Sequence, residues 1–227
     1  MKILVITPHL DDAIIGAGGT LLKCIKNKDE VVVIELFDCI ETNEVYKKIE
    51  KTGFKILKLR NIELNYQSII KLMDNIRQIN PDRILIGIGA SHLEHLKAYE
   101  IGLRAVQLIN GSIKSSAKDV KKIQSVYVFE NLEAFEMGCK PNEIFVDISN
   151  EFKEKIKILE YFREVNKFAK DLDEKVGYLN KLRGWQSKTK FSELFLNIPV
   201  NSAHDIFSSF GSTLVLDEEA KAYKSLP

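Results

Sequence analysis

The sequence predicts an α/β fold: a single Rossmann-like domain with a mostly parallel β-sheet flanked by helices on both faces. Short apolar runs rich in β-branched residues recur at 3–6, 31–37, 54–59 and 84–88, as in strands buried on both faces. Helix-length stretches separate them, and strand–helix alternation of this kind builds parallel sheets. Imidazoles and carboxylates gather where the first and fourth runs end, the edge at which open α/β sheets hold ligands.

Each element has a local cause. Ile3 to Ile6 form the first strand and Pro8 stops it, leaving His9, Asp11 and Asp12 ahead of a helix expected over 14–24. The glycines of that helix, Gly16, Gly18 and Gly19, let it lie close to the sheet. The run 31–37 completes a strand–helix–strand unit and ends at Asp38, Cys39 and Glu41. A short charged helix over 43–52 closes at Gly53, a third strand covers 54–59, and 66–79 carries Ile69, Ile70, Met73 and Ile76 at helical spacing. Pro81 ends that helix before the fourth strand. A helix then runs from His92 to about residue 109, followed by an exposed loop over 110–122. Strands are expected at 126–129 and 144–148, with a loop or hairpin between them, and an amphipathic helix at 152–169. Beyond it the periodicity weakens, and only 213–216 suggests a late strand. No repeat or linker divides the chain. The motif-bearing core spans 1–110, later elements of the same domain 111–195, and a C-terminal extension 196–227.

Composition narrows the partners. A length of 227 residues suits one large domain, and a net charge of +1 offers no field for nucleic acid or an anionic membrane surface. Small molecules are the expected partners, and a homo-oligomer is compatible with the chain. Cys24, Cys39 and Cys139 are widely spaced and read as incidental thiols, in keeping with a cytoplasmic location. No apolar run reaches the ~20 residues that span a bilayer.

Three of the four histidines, with several carboxylates, follow strands one and four. A catalytic zinc takes three ligands from His, Asp or Glu and lowers the pKa of its water to about 7. His9, Asp12 and His95 would supply that set. Asp11 would then be free as general base, and His92 would stabilise an oxyanion or protonate a leaving amine. A plainer reading stands beside this one, in which Asp11 and Asp12 cap a helix and the histidines are ordinary polar residues. A dinucleotide turn is disfavoured, because Leu21 occupies the third glycine position of G-x-G-x-x-G and two carboxylates in the turn would repel a pyrophosphate.

At Pro8-His9-Leu10-Asp11-Asp12-Ala13, Gly16, Gly18-Gly19-Thr20-Leu21 and His92-Leu93-Glu94-His95 the sequence resembles the PIG-L/LmbE family of zinc-dependent N-deacetylases, whose signatures are PHPDDE and HPDH. Asn80-Pro81-Asp82, Val146-Asp147-Ile148-Ser149 with Lys155, and Arg183-Gly184 followed by Phe191-Ser192-Glu193-Leu194-Phe195 look like later family landmarks, so the resemblance covers roughly 1–195. It implies His9, Asp12 and His95 as ligands of one Zn2+ or another divalent transition metal, Asp11 as base, and His92 beside the tetrahedral intermediate. Glu193 matches a family glutamate and is a weaker candidate for the site. Three positions depart from the signatures: Leu10 stands for proline, Ala13 for glutamate, and Glu94 for aspartate. An arginine common ahead of the second helix is also missing, with Glu41 near that place and Glu44 matching the following glutamate.

Outside the motifs, Glu130 is either a substrate-facing or a solvated strand-end carboxylate. His204 and Asp205 read as loop residues. Trp185 beside Arg183 fits either stacking on a sugar ring or capping the core. The expected activity is hydrolysis of the acetamide of an N-acetylated amino sugar or conjugate. The alternatives are a zinc amidohydrolase for non-sugar amides and an inactive sugar- or nucleotide-binding relative.

Overall fold

The computed structural model describes residues 1–38, 43–60, 62–89, 92–110, 123, 125–132, 142–165 and 171–200. Among these residues lie seven strands and six helices in the order β1 (Lys2–Thr7), α1 (Leu10–Lys26), β2 (Glu30–Glu35), α2 (Asn43–Glu50), β3 (Phe54–Lys58), α3 (Tyr66–Ile79), β4 (Arg83–Gly87), α4 (Leu93–Asn110), β5 (Ser125–Phe129), β6 (Glu143–Asp147), α5 (Phe152–Val165), α6 (Leu172–Ser187) and β7 (Ser192–Pro199).

All seven strands join one sheet in the order β3-β2-β1-β4-β5-β7-β6. The pairs from β3 to β5 are parallel, while β7 runs antiparallel to both β5 and β6. β1 pairs on one side with β2 and on the other with β4, in the register Ile3↔Arg83 to Ile6↔Ile86. The chain therefore builds outward from β1 in one direction and resumes at β4 in the other. The carboxyl ends of β1 and β4 flank that switch point, where doubly wound sheets open a crevice.

Alternate β1 side chains feed two cores, as the two-residue strand period requires. Leu4 and Ile6 pack with Leu72, Met73 and Ile76 of α3 and Ile101 and Val106 of α4. Ile3 and Val5 pack with Ile14 and Leu21 of α1, Ile49 of α2, Phe162 of α5 and Val176 of α6. Helices thus cover both faces, as the apolar runs required.

Three differences from the sequence expectation have physical causes. α1 begins at Leu10 rather than at 14, because the buried Glu35 carboxylate accepts the Leu10 amide at 3.0 Å and supports the helix start from β2. α6 and β7 fall where the apolar period weakens, because α6 is apolar on its outer side as well as its inner side. Trp185 does not cap the core; it is 80% exposed. The expected loops at 110–122 and between β5 and β6, the end of the fifth helix, the strand at 213–216, and Cys39, Glu41, Cys139, His204 and Asp205 lie wholly or largely outside the described residues. No described helix is long and apolar enough to cross a membrane.

Candidate metal centre at the β1–β4 switch point

Pro8 cannot continue the β1 ladder, and the Thr7 hydroxyl donates to the His9 carbonyl at 2.8 Å, so the chain turns directly from strand to helix. His9 stands at the N-cap position of α1, with Asp11 and Asp12 in its first turn. Carboxylates there face the positive end of the helix dipole. The turn is braced from beneath: Glu35, 1% exposed, accepts the Leu10 amide and the Tyr46 hydroxyl, the latter at 2.8 and 3.0 Å. Across the switch point, the start of α4 brings His92, Glu94 and His95 to the same edge.

The two helix starts converge on three side chains. Asp12 Oδ2 lies 3.3 Å from His9 Nδ1 and 3.2 Å from His95 Nε2. The ligand atoms of His9, Asp12 and His95 all lie within 4.8 Å of one another. Donors about 2.0–2.2 Å from a tetrahedral zinc sit roughly 3.3–3.5 Å apart, so the two spacings at Asp12 are close to what such an ion needs. The donor chemistry fits as well: two imidazole nitrogens and one carboxylate oxygen form a set that zinc takes when a coordination position stays open. This His-Asp-His group can bind a metal ion.

Each donor is held from behind. His9 Nε2 donates to Glu94 Oε2 at 3.0 Å, and the buried Asn131 side-chain amide lies 3.0 Å from His95 Nδ1. Burial lowers the pKa of His9, but its hydrogen bond to Asp12 and the charges of Asp12, Asp11 and Glu94 outweigh that and raise it to about 9. Burial likewise pushes the Asp12 carboxyl up, and the two histidines more than reverse this, holding it below the usual carboxylate range. The protons shared among these atoms are those a divalent cation displaces on binding.

The remaining candidates divide. Asp11 sits beside the group, where its charge is felt at His9 and its Oδ1 accepts the Asp12 amide at 2.9 Å. The exposed His92 ring lies 5.5 Å from that of His95. Glu130 and Glu193 bond elsewhere. Glu130, 1% exposed, receives Arg183 Nε at 2.8 Å and Nη2 at 2.6 Å. Burial raises its pKa and the guanidinium opposes the rise. Glu193 lies against the middle of α1, where it accepts the Gly19 and Thr20 amides and Lys155 Nζ.

Glu35, Tyr46 and Asn131 were missed as supports by the sequence reading. Glu35 did leave a trace, a glutamate inside the apolar run Val31-Val32-Val33-Ile34-Glu35-Leu36-Phe37. A carboxylate in a doubly buried strand needs a buried partner. Asn131 left none, because its bond to His95 spans two separate strand ends.

No family model matches the sequence, and no curated protein matches it. Solved structures share its fold. N,N'-diacetylchitobiose deacetylase from Pyrococcus horikoshii matches with a TM-score of 0.74 at 19% identity, covering 91% of this chain and 85% of that one. The 4-carboxy-2-hydroxymuconate hydratase from Pseudomonas putida matches at 0.73 and 16%, covering 87% and 95%. A zinc-inhibited form of a teicoplanin deacetylase matches at 0.61 and 12%, covering 88% and 98%. At these identities the likeness is one of fold. Deacetylases and a hydratase share it, so the reaction has to be argued from the site.

Proposed function

We propose that the protein is a zinc-dependent N-deacetylase that hydrolyses the acetamide of an N-acetylated amino sugar or sugar conjugate. The observation that carries this reading is the meeting of His9, Asp12 and His95 at the switch point, with Asp11 and His92 beside them. It is supported by the deacetylases among the structures of the same fold.

His9, Asp12 and His95 would hold the ion. Zinc at such donors supplies Lewis acidity, which activates water at neutral pH and polarises an acyl oxygen. Asp11 accepts the proton of the attacking water and passes it to the departing amine. His92, on the opposite side of the crevice, donates to the oxygen that gains charge as the acyl carbon becomes tetrahedral. Glu94 and Asn131 orient the two ligand imidazoles, as outer partners of metal-bound histidines do. Acetate and a free amine are the products.

The test is release of amine from free, nucleotide-linked and lipid-linked N-acetylglucosamine by protein loaded with one equivalent of zinc. Turnover that disappears in Asp11→Asn, while that variant retains stoichiometric zinc, is the expected result. Undiminished turnover in Asp11→Asn overturns the mechanism. Metal-dependent turnover of N-acyl amino acids with none on any sugar replaces the substrate class.

A further inference from the structure

α6 is apolar on two sides. Val176 and Leu179 point inward and are buried in the sheet-facing core. On the outer side Tyr178, Leu182 and Trp185 are 66%, 39% and 80% exposed. Spacings of four and three residues stack these three along one helical stripe. A surface helix of a monomer ordinarily turns charged residues to water, and an apolar stripe on its outer face marks a surface that another molecule covers.

The charges along the stripe identify that molecule. On the outer side the first two turns of α6 and its N-cap hold Asp171 and Glu174 against Lys175, while Asp173 pairs with Arg163 Nη1 of α5 at 3.3 Å. From Tyr178 to the C-cap there is no carboxylate, and Lys181 and Lys188 are exposed. Arg183 does not contribute outward, since its guanidinium is buried on Glu130. The stripe is therefore acidic at its start, apolar at its centre and basic at its end. Such a pattern complements itself when two copies lie antiparallel, acidic end against basic end, as a two-fold interface requires.

We infer that two copies of this chain pair through the outer faces of their α6 helices, antiparallel, with Tyr178, Leu182 and Trp185 at the centre of the contact. Trp185 is the anchor, since a flat and wholly presented indole is the side chain that dominates contacts of this kind. One helix stripe makes a contact at the small end of the specific range, so the pair exchanges with monomer on the order of micromolar concentration.

Sedimentation equilibrium of the full chain tests this. Wild type should shift from monomer to twice that mass with rising concentration, and a monomer at every concentration up to the high micromolar range overturns the inference. Trp185→Ala, at an exposed position that leaves the circular dichroism spectrum unchanged, should raise the dimer dissociation constant by about tenfold or more. Glu174→Lys should weaken the dimer, and adding Lys181→Glu with Lys188→Glu, which reverses the polarity of the stripe, should restore it. A dimer indifferent to Trp185→Ala, or one that the reversed stripe fails to restore, overturns the proposed contact.

Discussion

Two charged clusters share helix α1, and they solve the problem of burying charge in different ways. At its middle, Lys155 reaches in from α5 and Glu193 from β7, and both are essentially without solvent exposure. Lys155 Nζ donates to the Ile15 carbonyl at 2.7 Å, to Asn180 Oδ1 at 2.8 Å and to Glu193 Oε1 at 2.7 Å. The Gly19 and Thr20 amides donate to the two Glu193 oxygens at 2.8 Å. The Gly19 amide and the Ile15 carbonyl stand at the i and i−4 positions of the helix ladder, and each also meets a buried charge, one the carboxylate and the other the ammonium. At its first turn α1 presents a carboxylate and one imidazole instead, and α4 brings a second imidazole, His95, to them. The middle cluster carries its own cation in the lysine, whereas the first-turn cluster has the donors that a metal cation takes. One is a sealed structural joint and the other a half-open site on the same helix.

The glycines make the joint possible. A Cβ at Gly19 would lie 2.7 Å from Ile148, and one at Gly16 would collide with the Glu130 carbonyl. Bare backbone at these positions lets α1 approach the later part of the chain closely enough for Lys155 and Glu193 to reach it.

Breaking the joint should have the largest effect. Lys155→Met leaves Glu193 buried without its cation and should cost about 3–5 kcal/mol in urea unfolding. The double variant Lys155→Met with Glu193→Leu should recover part of that loss, because it leaves no charge buried without its partner. A double variant as unstable as the sum of the two singles would show that the two charges are not coupled and would overturn this account of the joint.

The opposite response is expected at the first turn. Asp12→Asn removes the carboxylate that both imidazoles share, so it should abolish the stabilisation by zinc that the proposed site would give wild type, about 2.7 kcal/mol at a hundredfold excess over the dissociation constant. Thermal unfolding with and without the ion measures the difference. Metal-dependent stabilisation that survives in Asp12→Asn would place the ion elsewhere.

A smaller change sharpens the contrast. Glu94→Gln keeps the shape of the side chain but weakens its grip on His9 Nε2, and zinc affinity should fall about 10- to 100-fold by competition with a chelator. Glu94→Asp, one methylene shorter, should fall similarly, because the bond spans 3.0 Å from the start of α4. The α6 pairing should be indifferent to all these first-turn variants.

The strands β1 to β5, the helices between them and the identity of the first-turn group were legible in the sequence. Their signals are local: β-branched runs, proline and glycine stops, and imidazoles and carboxylates directly after strand ends. That was enough to expect a parallel sheet and to name His9, Asp12 and His95. Local signals failed where a partner decides the outcome. α6 hides its period because both of its sides are apolar, and β7 runs against its neighbours between two strands that precede it in the chain. Tertiary structure alone decided that β4 lies beside β1, which closes 83 residues of sequence to the 3.2 Å between Asp12 and His95. It also decided that Glu193 is held by a lysine and Glu130 by an arginine. A side chain's type is written in the sequence, but which buried charge it neutralises depends on distances that exist only once the sheet has formed.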